Sequence, residues 1–511
     1  MNRALDVLFI NADSSAAAYQ ELAKNYSAIE PPTWALLLAQ SCRSKGFGVG
    51  ILDCGAERLD DSDAVSQIMH ASPKLACFVV YGQNPNSGTT NMVGATALAA
   101  RLKDHSPGIK ICFVGSHTSA LPKDVLAHDC VDLVLLNEGV YALHNLLRSD
   151  LGDDLSKIKG IGYKSDGHAI LNEPEQVVSQ ARMDEDLPGY AWDLLPYRSK
   201  PLDLYRSHFW HAEFNHDYRS PFTAIYTSLG CRFKCDFCMI NIVNRNNNED
   251  GVSSANSPMM RYWSSKLMLG EFDKLASMGV ETLRISDEMF FLDKHHFEPL
   301  LDGIIERGHK FRMWTYSRVD TVREQYLEKF RKAGIGWFGL GIEAGNQMVR
   351  REASKGSFKD MNIRDVCKLV RANGINIIAN YIVGFPEDTM ETMNQTKDLA
   401  LELNTEMMNV YTCMALPGSP LYQTAKQKGW RLPDSYAGYA FLSYDTLPLP
   451  TNHLSPAEVL RFRDSMWREY FTHEPYLQLV ESKFGLPQRR NVEDMAKITL
   501  KRRILEKGAL T

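Results

Sequence analysis

Short apolar runs alternate with longer amphipathic segments along most of the chain. In the first 150 residues this pattern predicts five buried strands separated by helices: Val7–Ile10, Val49–Leu52, Leu75–Val80, Ile111–Val114 and Leu133–Leu136. Five β-α units in a row predict a Rossmann-like, doubly wound parallel sheet. In such sheets, ligands bind beyond the carboxyl ends of the strands.

The loops that follow these strands have a composition suited to a polar ligand. They are rich in Gly, Ser, Thr and Asn, which allow close backbone approach and supply hydrogen bonds; the segments are 11–15, 81–89, 115–119 and 137–139. None of them contains a G-x-G-x-x-G fingerprint. The sequence therefore favours a ligand other than a dinucleotide at this edge of the sheet.

The β-α alternation resumes at about residue 216, with longer helices. The predicted strands are Ala224–Tyr226, Thr282–Ser286, Phe311–Trp314, Trp337–Gly341, Ile377–Val383 and Met407–Tyr411. One helix between them is especially clear, because Asp293 is a suitable cap and Gly308 a suitable stop. Its apolar face comprises Phe297, Leu300, Leu301, Ile304 and Ile305.

These patterns divide the chain into four segments. We expect a first domain over residues 1–150, a connector over 151–215, a second α/β domain over 216–425 and a helical C-terminal region over 426–511. The connector contains a predicted β-hairpin at 160–171. The C-terminal region carries aromatic residues that could cover the second domain or pack a domain interface: Trp430, Tyr436, Tyr439, Phe441 and Tyr444.

The composition is that of an ordinary globular protein. Of 511 residues, 44% are hydrophobic and 23% are charged, and the net charge of −5 gives no general footprint for nucleic acid. No apolar stretch reaches the roughly 18–20 residues that span a bilayer, and no signal peptide is recognisable. Ten dispersed cysteines fit a reducing compartment. We therefore expect a cytoplasmic protein without membrane insertion or a nucleic-acid partner.

A C-x3-C-x2-C cluster directly follows a predicted strand and comprises Cys231, Cys235 and Cys238. Three thiolates can ligate three corners of a [4Fe–4S] cluster and leave one iron open for chemistry. A zinc site generally needs four ligands, and no second pair lies nearby. Chance clustering of buried cysteines fits poorly, because Arg232, Lys234 and Asp236 lie between them. The spacing therefore favours an iron–sulfur cluster with one open iron.

With Phe237 just before the third cysteine, this segment resembles the signature of the radical S-adenosylmethionine (SAM) enzymes. The resemblance implies a partial (β/α)6 barrel followed by a helical region. It also implies that SAM binds the open iron and is cleaved to a 5′-deoxyadenosyl radical, which removes hydrogen from a substrate. An external low-potential electron donor, such as flavodoxin or ferredoxin, is implied as a partner.

Two later segments extend this resemblance. Gly341–Gly345 resembles the family's Gly-Ile-Glu-Ser-Gly, which implies that Glu343 faces SAM, although Glu343 could also be a surface acid. Tyr381–Glu387 resembles the fifth-strand motif near the adenine and implies a contact at Gly384. Phe237 is implied to lie against the adenine.

The first domain resembles the cobalamin-binding domain that precedes the barrel in many radical SAM enzymes. The matching segments are Glu30–Gln40, Val114–Pro122, Val131–Val134 and Asn137–Gly139, and Leu416–Tyr422 resembles the segment that closes the barrel in the cobalamin-dependent branch. The implied cobalamin contacts are Asn84, Gly115, His117, Thr118, Ser119, Glu138 and Gly139. The domain has no D-x-H-x-x-G motif, so we expect base-off cobalamin without a histidine ligand. His117 could instead cap the next helix.

Together these resemblances predict a cobalamin-dependent radical SAM enzyme, similar to the class B methyltransferases and the anaerobic magnesium-protoporphyrin ester cyclase group. Methylation of an unactivated carbon, or of a phosphinate phosphorus, in a biosynthetic small molecule is favoured, with methylcobalamin as the methyl donor. Cyclisation or ring rearrangement with the same cofactors is the alternative. A non-catalytic iron–sulfur sensor is the alternative from a different class.

Polar residues at the predicted strand ends are the candidates for the substrate site. Asp287, Arg318 and Tyr411 are the catalytic candidates, and Glu288 and Asn380 lie at similar positions. Each could instead serve an internal ion pair or hydrogen bond. The polar insert at 244–256, just after the cysteines, could be a substrate lid or a loop without that role.

Overall fold

The computed structural model describes residues 5–152, 154–211, 221–245, 247, 251, 253–354, 358 and 361–506. The polar insert predicted as a possible lid therefore lies partly outside the described residues. None of the described helices is long and apolar enough to cross a membrane.

The first sheet has seven strands in the order β2-β1-β3-β4-β5-β6-β7. Strands β1 to β5 are parallel, and β6 and β7 add to β5 as an antiparallel hairpin. The strands are β1 Val7–Asn11, β2 Val49–Asp53, β3 Leu75–Val80, β4 Lys110–Gly115, β5 Leu133–Leu135, β6 Ile161–Ser165 and β7 His168–Leu171. The predicted hairpin is thus confirmed, and it extends the first sheet past residue 150; the domain boundaries stay a prediction.

The second sheet has six parallel strands in the order β15-β14-β13-β12-β11-β8 and forms an open half-barrel. Its strands, with the short antiparallel pair β9-β10 beside it, are β8 Phe222–Ile225, β9 Ser228–Cys231, β10 Met259–Tyr262, β11 Thr282–Ile285, β12 Arg312–Arg318, β13 Ile335–Glu343, β14 Asn376–Val383 and β15 Met407–Thr412. The predicted α/β fold class, a doubly wound sheet followed by a partial barrel and a helical C-terminal region, is confirmed.

The α-helices of the N-terminal part are α1 Ser15–Tyr19, α2 Leu22–Asn25, α3 Thr33–Ser44, α4 Cys54–Glu57, α5 Asp61–Ala71, α6 Gly88–His105, α7 Ser116–Ala120, α8 Pro122–Leu126, α9 Val140–Arg148 and α10 Met183–Asp186. Those that follow are α11 Ser265–Ser277, α12 Lys294–Glu306, α13 Glu324–Lys332, α14 Gln347–Ala353, α15 Ile363–Ala372, α16 Met390–Leu403, α17 Pro420–Lys428, α18 Pro456–Phe471, α19 Glu474–Phe484 and α20 Leu486–Lys497. Asp293 caps α12 through the His295 N–H, as the sequence predicts.

Both faces of the first sheet are buried. Along β1, Val7 and Phe9 belong to one hydrophobic cluster, and Leu8 and Ile10 belong to another. Because successive side chains of a strand point to opposite faces, helices must cover the sheet on both sides. This explains why the strands read as continuous apolar runs, and it leaves the carboxyl edge of the sheet as the surface free for ligands.

Candidate active site

One cavity of about 1090 Å³ lies where the first sheet, the half-barrel and the cysteine loop meet. The first sheet contributes the loops after β1, β2 and β3, and the half-barrel contributes residues from the ends of β12, β13, β14 and β15. Parts of the C-terminal region, including Tyr439 and Phe441, complete the wall. Pockets for one drug-sized ligand span about 300–1000 Å³. This cavity is therefore large enough for more than one such ligand.

The three cysteines lie together on the wall of this cavity. Cys231 ends β9, and Asn241 fixes the loop that follows, since its Oδ1 accepts from the Cys231 N–H at 3.0 Å and its Nδ2 donates to the Cys231 carbonyl at 2.9 Å. In the described residues no three His, Cys, Asp or Glu side chains converge as they would on a single metal ion. Thiolates at three corners of a cube lie further apart than ligands of one ion, so the donor set fits a [4Fe–4S] cluster.

Burial alone would keep these thiols protonated. It raises the pKa of Cys231 to about 11 and that of Cys235 to about 12. A bound cation reverses this balance, because metal coordination deprotonates a thiol outright.

Glu343 and Arg318 lie in the cavity wall with the cysteines. Glu343 adopts a left-handed backbone conformation, with φ of 66°, where the pairing of β13 with β14 is irregular. Burial raises the pKa of its carboxyl group to about 7, so Glu343 is not a surface acid. Arg318 pairs with Asp320 at 2.6 Å and lies 3.8 Å from the ring centroid of Phe233.

Phe237 also lines the cavity, and its ring centroid is 5.7 Å from that of Phe385. Gly384 does not line it. With φ of +84°, Gly384 packs against α18, where an added Cβ would lie 2.4 Å from Val459 Cγ1. Packing against a helix therefore explains the glycine at position 384, and its predicted contact with the cofactor stays a prediction.

The predicted cobalamin contacts on the first sheet also differ in whether they line the cavity. Asn84 lines the cavity, whereas six others lie outside its wall: Gly115, His117, Thr118, Ser119, Glu138 and Gly139. The six contacts stay predictions, and the strand order explains where these residues lie. A 2-1-3-4-5 order reverses direction between β1 and β3, and ligands bind in the crevice at that point. The loops after β4 and β5 lie to one side of it.

His117 is buried away from the cavity, with both ring nitrogens facing protein groups. Its Nδ1 lies 3.0 Å from Thr89 Oγ1, and its Nε2 lies 3.4 Å from Asp124 Oδ2. The ring meets Tyr436 edge-on at 5.1 Å, and the Tyr436 hydroxyl donates to Asp124 at 2.9 Å. His117 therefore joins the first sheet to the C-terminal region.

Glu138 also connects parts of the chain. It forms a 2.7 Å ion pair with Arg261 of β10, and both side chains are only 2% exposed. Arg261 further donates to the Val178 carbonyl at 2.7 Å and to Asn244 at 3.0 Å. The pair therefore ties the end of the first sheet to the hairpin that carries Cys231.

The predicted catalytic residues likewise differ in whether they line the cavity. Tyr411 and Arg318 line the cavity, and so does Asn380. Asp287 does not, because it accepts hydrogen bonds from the Thr227 N–H, the Thr227 hydroxyl and the Ser228 hydroxyl, each at 2.6 Å. Asp287 therefore stabilises the start of β9, and the adjacent Glu288 lines the cavity.

Sequence reasoning assigned no role to Glu30, although it lies in the cavity wall. Its Oε2 pairs with Arg284 of β11 at 2.7 Å, and the two side chains are 5% and 1% exposed. Arg284 lies about 5 Å from the ring centroids of Trp314 and Tyr316. Glu30 and Arg284 are 254 positions apart in the sequence, so no local motif indicates that they pair.

Glu288 provides a pH-dependent test of this geometry. Burial raises the pKa of its carboxyl group to about 8, and Oε1 has no hydrogen-bond partner among the described residues. The folded state therefore binds more protons than the unfolded state between about pH 4.5 and 8, and stability falls as pH rises through this window. For the cofactor-free protein, Glu288→Gln should raise the free energy of unfolding by up to about 5 kcal/mol at pH 9, because one pKa unit corresponds to about 1.4 kcal/mol, and should change it little at pH 4. Unfolding midpoints with equal shifts at both values would contradict this account.

Two family models match the chain. The model described as Radical SAM superfamily matches residues 225–400, and the B12 binding domain model matches residues 22–147. An uncharacterized methyltransferase of Pyrococcus horikoshii is 24% identical over 401 residues, 77% of this chain and 78% of that protein. The anaerobic magnesium-protoporphyrin IX monomethyl ester cyclase of Rubrivivax gelatinosus is 24% identical over 494 residues, 92% of this chain and 78% of that protein.

A solved structure has the same fold. It is the radical SAM methyltransferase TsrM from Kitasatospora setae, with cobalamin and a [4Fe–4S] cluster bound. The two superpose with a TM-score of 0.67 at 17% identity, over 96% of this chain and 98% of TsrM. At this identity the likeness shows the fold alone.

Proposed function

We propose that this chain, a radical SAM enzyme with a B12-binding domain, methylates an unactivated carbon or a phosphinate phosphorus of a small molecule. Its cofactors are a [4Fe–4S] cluster, SAM and cobalamin. One observation carries the proposal: the three cysteines and the switch-point loops of the first sheet line the same cavity. A methyl donor and a radical source held on its two walls could both reach one substrate.

The residues of the chain have separable tasks in this proposal. Cys231, Cys235 and Cys238 hold the cluster, and Phe237 and Glu343 hold SAM. The loops after β1, β2 and β3 hold cobalamin. When bound, the cluster with SAM supplies the radical that removes hydrogen, and cobalamin supplies the methyl group.

The first-sheet wall supports base-off binding without a histidine ligand. Gly82, with φ of +73°, and Gly55 bring backbone to the cavity, and Asn11, Asn84 and Asn91 add polar side chains. Among the described residues that line the cavity, His208 is the one histidine. His208 lies on the barrel side, 3.8 Å from Glu30 and against Trp210 and Trp314.

The remaining space provides a substrate chamber inside the half-barrel. Tyr316, Asn380 and Tyr411 face it, and the Asn380 Oδ1 accepts from Asn409 at 3.0 Å. Tyr411 packs on Phe441, with ring centroids 4.8 Å apart. Of the C-terminal aromatic residues, Tyr439 and Phe441 line the cavity and would exclude water from a reactive substrate.

SAM carrying a trideuterated methyl group tests the proposal. Anaerobically reconstituted protein is incubated with this SAM, a low-potential reductant such as flavodoxin, and candidate substrates. A product that gains the intact labelled methyl group, with 5′-deoxyadenosine released, is the expected result in mass spectrometry.

The same experiment separates the alternatives. An unlabelled cyclised or rearranged product would rule out methylation of that substrate and favour cyclisation, which is the activity named for the Rubrivivax relative. Failure to release 5′-deoxyadenosine from SAM, with the cluster intact, would favour a sensor. The methyl label therefore decides between reaction types, and 5′-deoxyadenosine decides between enzyme and sensor.

Glu343→Gln tests the proposed SAM contact. The substitution keeps the shape of the side chain but removes a carboxylate that could accept a charge-assisted hydrogen bond. Such bonds contribute about 1.5–3 kcal/mol, so we expect SAM to bind roughly 10- to 100-fold more weakly. Equilibrium binding to the cluster-loaded protein measures this, with Glu387→Gln as the control, because Glu387 lies outside the cavity wall. Equal affinity in both variants would remove Glu343 from the SAM site.

A further inference from the structure

The cysteine loop is hydrogen-bonded to the first sheet, and the contact runs through Asn86. This residue lies in the loop after β3 and lines the cavity. Its side-chain Oδ1 accepts from the Met239 N–H at 3.0 Å, and its Nδ2 lies 3.9 Å from Cys238 Sγ. A residue of the B12-binding domain therefore touches both a cluster ligand and the residue after it.

The orientation of this amide is fixed by its surroundings. A backbone N–H is always a donor, so the atom that faces Met239 must be the oxygen. The amide nitrogen consequently points its hydrogens toward the sulfur. Asn84 holds the loop in this position, since its Oδ1 accepts from the Asn86 N–H at 3.0 Å.

The groups around the three thiols come from different parts of the chain. The Phe233 N–H lies 3.4 Å from Cys231 Sγ, within the cysteine loop itself. Arg318, at the end of β12, lines the cavity with Cys235, and its positive charge favours the thiolate of Cys235. Asn86 serves Cys238 from the neighbouring domain. Hydrogen bonds to the sulfurs are among the factors that set the potential of an iron–sulfur cluster.

We propose that Asn86 is a positioning residue through which the B12-binding domain sets the reduction potential of the cluster. Its N–H group stabilises the thiolate of Cys238 more strongly in the reduced cluster, which carries one more negative charge. The contact therefore raises the potential and makes reduction by an external donor easier. The inference requires the cluster but not methylation. The midpoint potential therefore tests it whether or not the enzyme transfers a methyl group.

Two substitutions separate the donor from the loop anchor. Asn86→Asp removes the N–H donor but keeps an oxygen for the Met239 N–H, and Asn86→Ala removes both without adding charge. Asn394→Asp is the matched control, because Asn394 lies on α16 outside the cavity wall and its side chain donates to the Met390 carbonyl at 2.9 Å. The midpoint potential of the reconstituted cluster is measured by EPR at stepped ambient potentials, together with iron and sulfide content.

We expect both Asn86 variants to shift to a more negative midpoint potential, with the Asn394→Asp potential at the wild-type value. Unchanged potentials in both variants would overturn the proposal. A shift in Asn86→Asp alone would assign the effect to added charge, and a shift in Asn86→Ala alone would assign it to loss of the anchor; either result also overturns it.

A measurement on the wild-type protein keeps the proposal testable if the variants do not assemble a cluster. Asparagine labelled with 15N in its side-chain amide is incorporated, and the reduced cluster is studied by pulsed EPR. A weak hyperfine coupling to an asparagine side-chain nitrogen is the expected result. Its absence in cluster-loaded wild-type protein would overturn the contact with Cys238.

Discussion

Cys235→Ala is expected to abolish the cluster and, with it, cleavage of SAM. The variant leaves two of the three thiols of the cysteine loop, where the proposed cluster requires all three. Loss of a partner that only supports a metal ligand costs about 10–100-fold in affinity, so loss of a ligand itself should cost more. Iron and sulfide content after anaerobic reconstitution, followed by 5′-deoxyadenosine release, measures the effect.

Cys367→Ala is the matched control for this experiment. Cys367 is a buried, unpaired cysteine on α15 of the same domain, and it lies outside the cavity wall. It should retain iron and SAM cleavage, because only a small packing defect is introduced. If Cys235→Ala kept iron and activity equal to this control, the assignment of the cluster would be wrong.

Arg261→Met is expected to destabilise the folded protein strongly. The substitution would leave the Glu138 carboxylate buried without its counter-charge, and Asn244 and the Val178 carbonyl would each lose a donor. Breaking a buried ion pair by removing one partner typically costs about 3–5 kcal/mol. Denaturant unfolding of the cofactor-free protein measures this loss.

Two further variants test whether the unpaired Glu138 carboxylate causes this loss of stability. The double variant Glu138→Gln with Arg261→Met should recover much of the stability, because no uncompensated charge remains. Arg364→Met, which breaks the exposed pair with Glu402, should cost about 1 kcal/mol or less. A loss in Arg261→Met no larger than in Arg364→Met would show that the pair does not hold the cysteine hairpin to the first sheet.

Glu138 shows that a sequence motif can identify a domain without identifying which of its side chains face the cavity. The segment Asn137–Gly139 identified the correct domain, but the carboxylate faces Arg261 and not the cavity. A role as a cobalamin contact would predict that Glu138→Gln lowers cobalamin content without changing the stability of the cofactor-free protein. The ion pair predicts instead that Glu138→Gln changes the stability of the cofactor-free protein and leaves its cobalamin content unchanged.

The strands and the cysteine loop were predictable because their signals are local. Apolar runs, a capping Asp293 and the C-x3-C-x2-C spacing can each be recognised within a few residues. The residues of the first sheet that line the cavity were not predictable, because their position depends on strand order. The reversal between β1 and β3 brings Asn84 to the cavity and leaves His117 beside Tyr436.

Adjacent residues with similar chemistry were also indistinguishable in the sequence. Asp287 and Glu288 both follow β11, yet the first is held by Thr227 and Ser228 and the second reaches the cavity. Long-range pairs such as Glu30 with Arg284 join segments that share no motif. Only the folded chain determines which of these side chains faces a ligand.

In the proposed enzyme, the cluster and cobalamin face each other across one cavity. EPR of the protein loaded with both, with the cluster reduced and the cobalt in its paramagnetic divalent state, measures whether they do. We expect a magnetic interaction that broadens or splits both signals and disappears in protein loaded with only one of them. Two superimposed signals, each identical to that of the singly loaded protein, would contradict it.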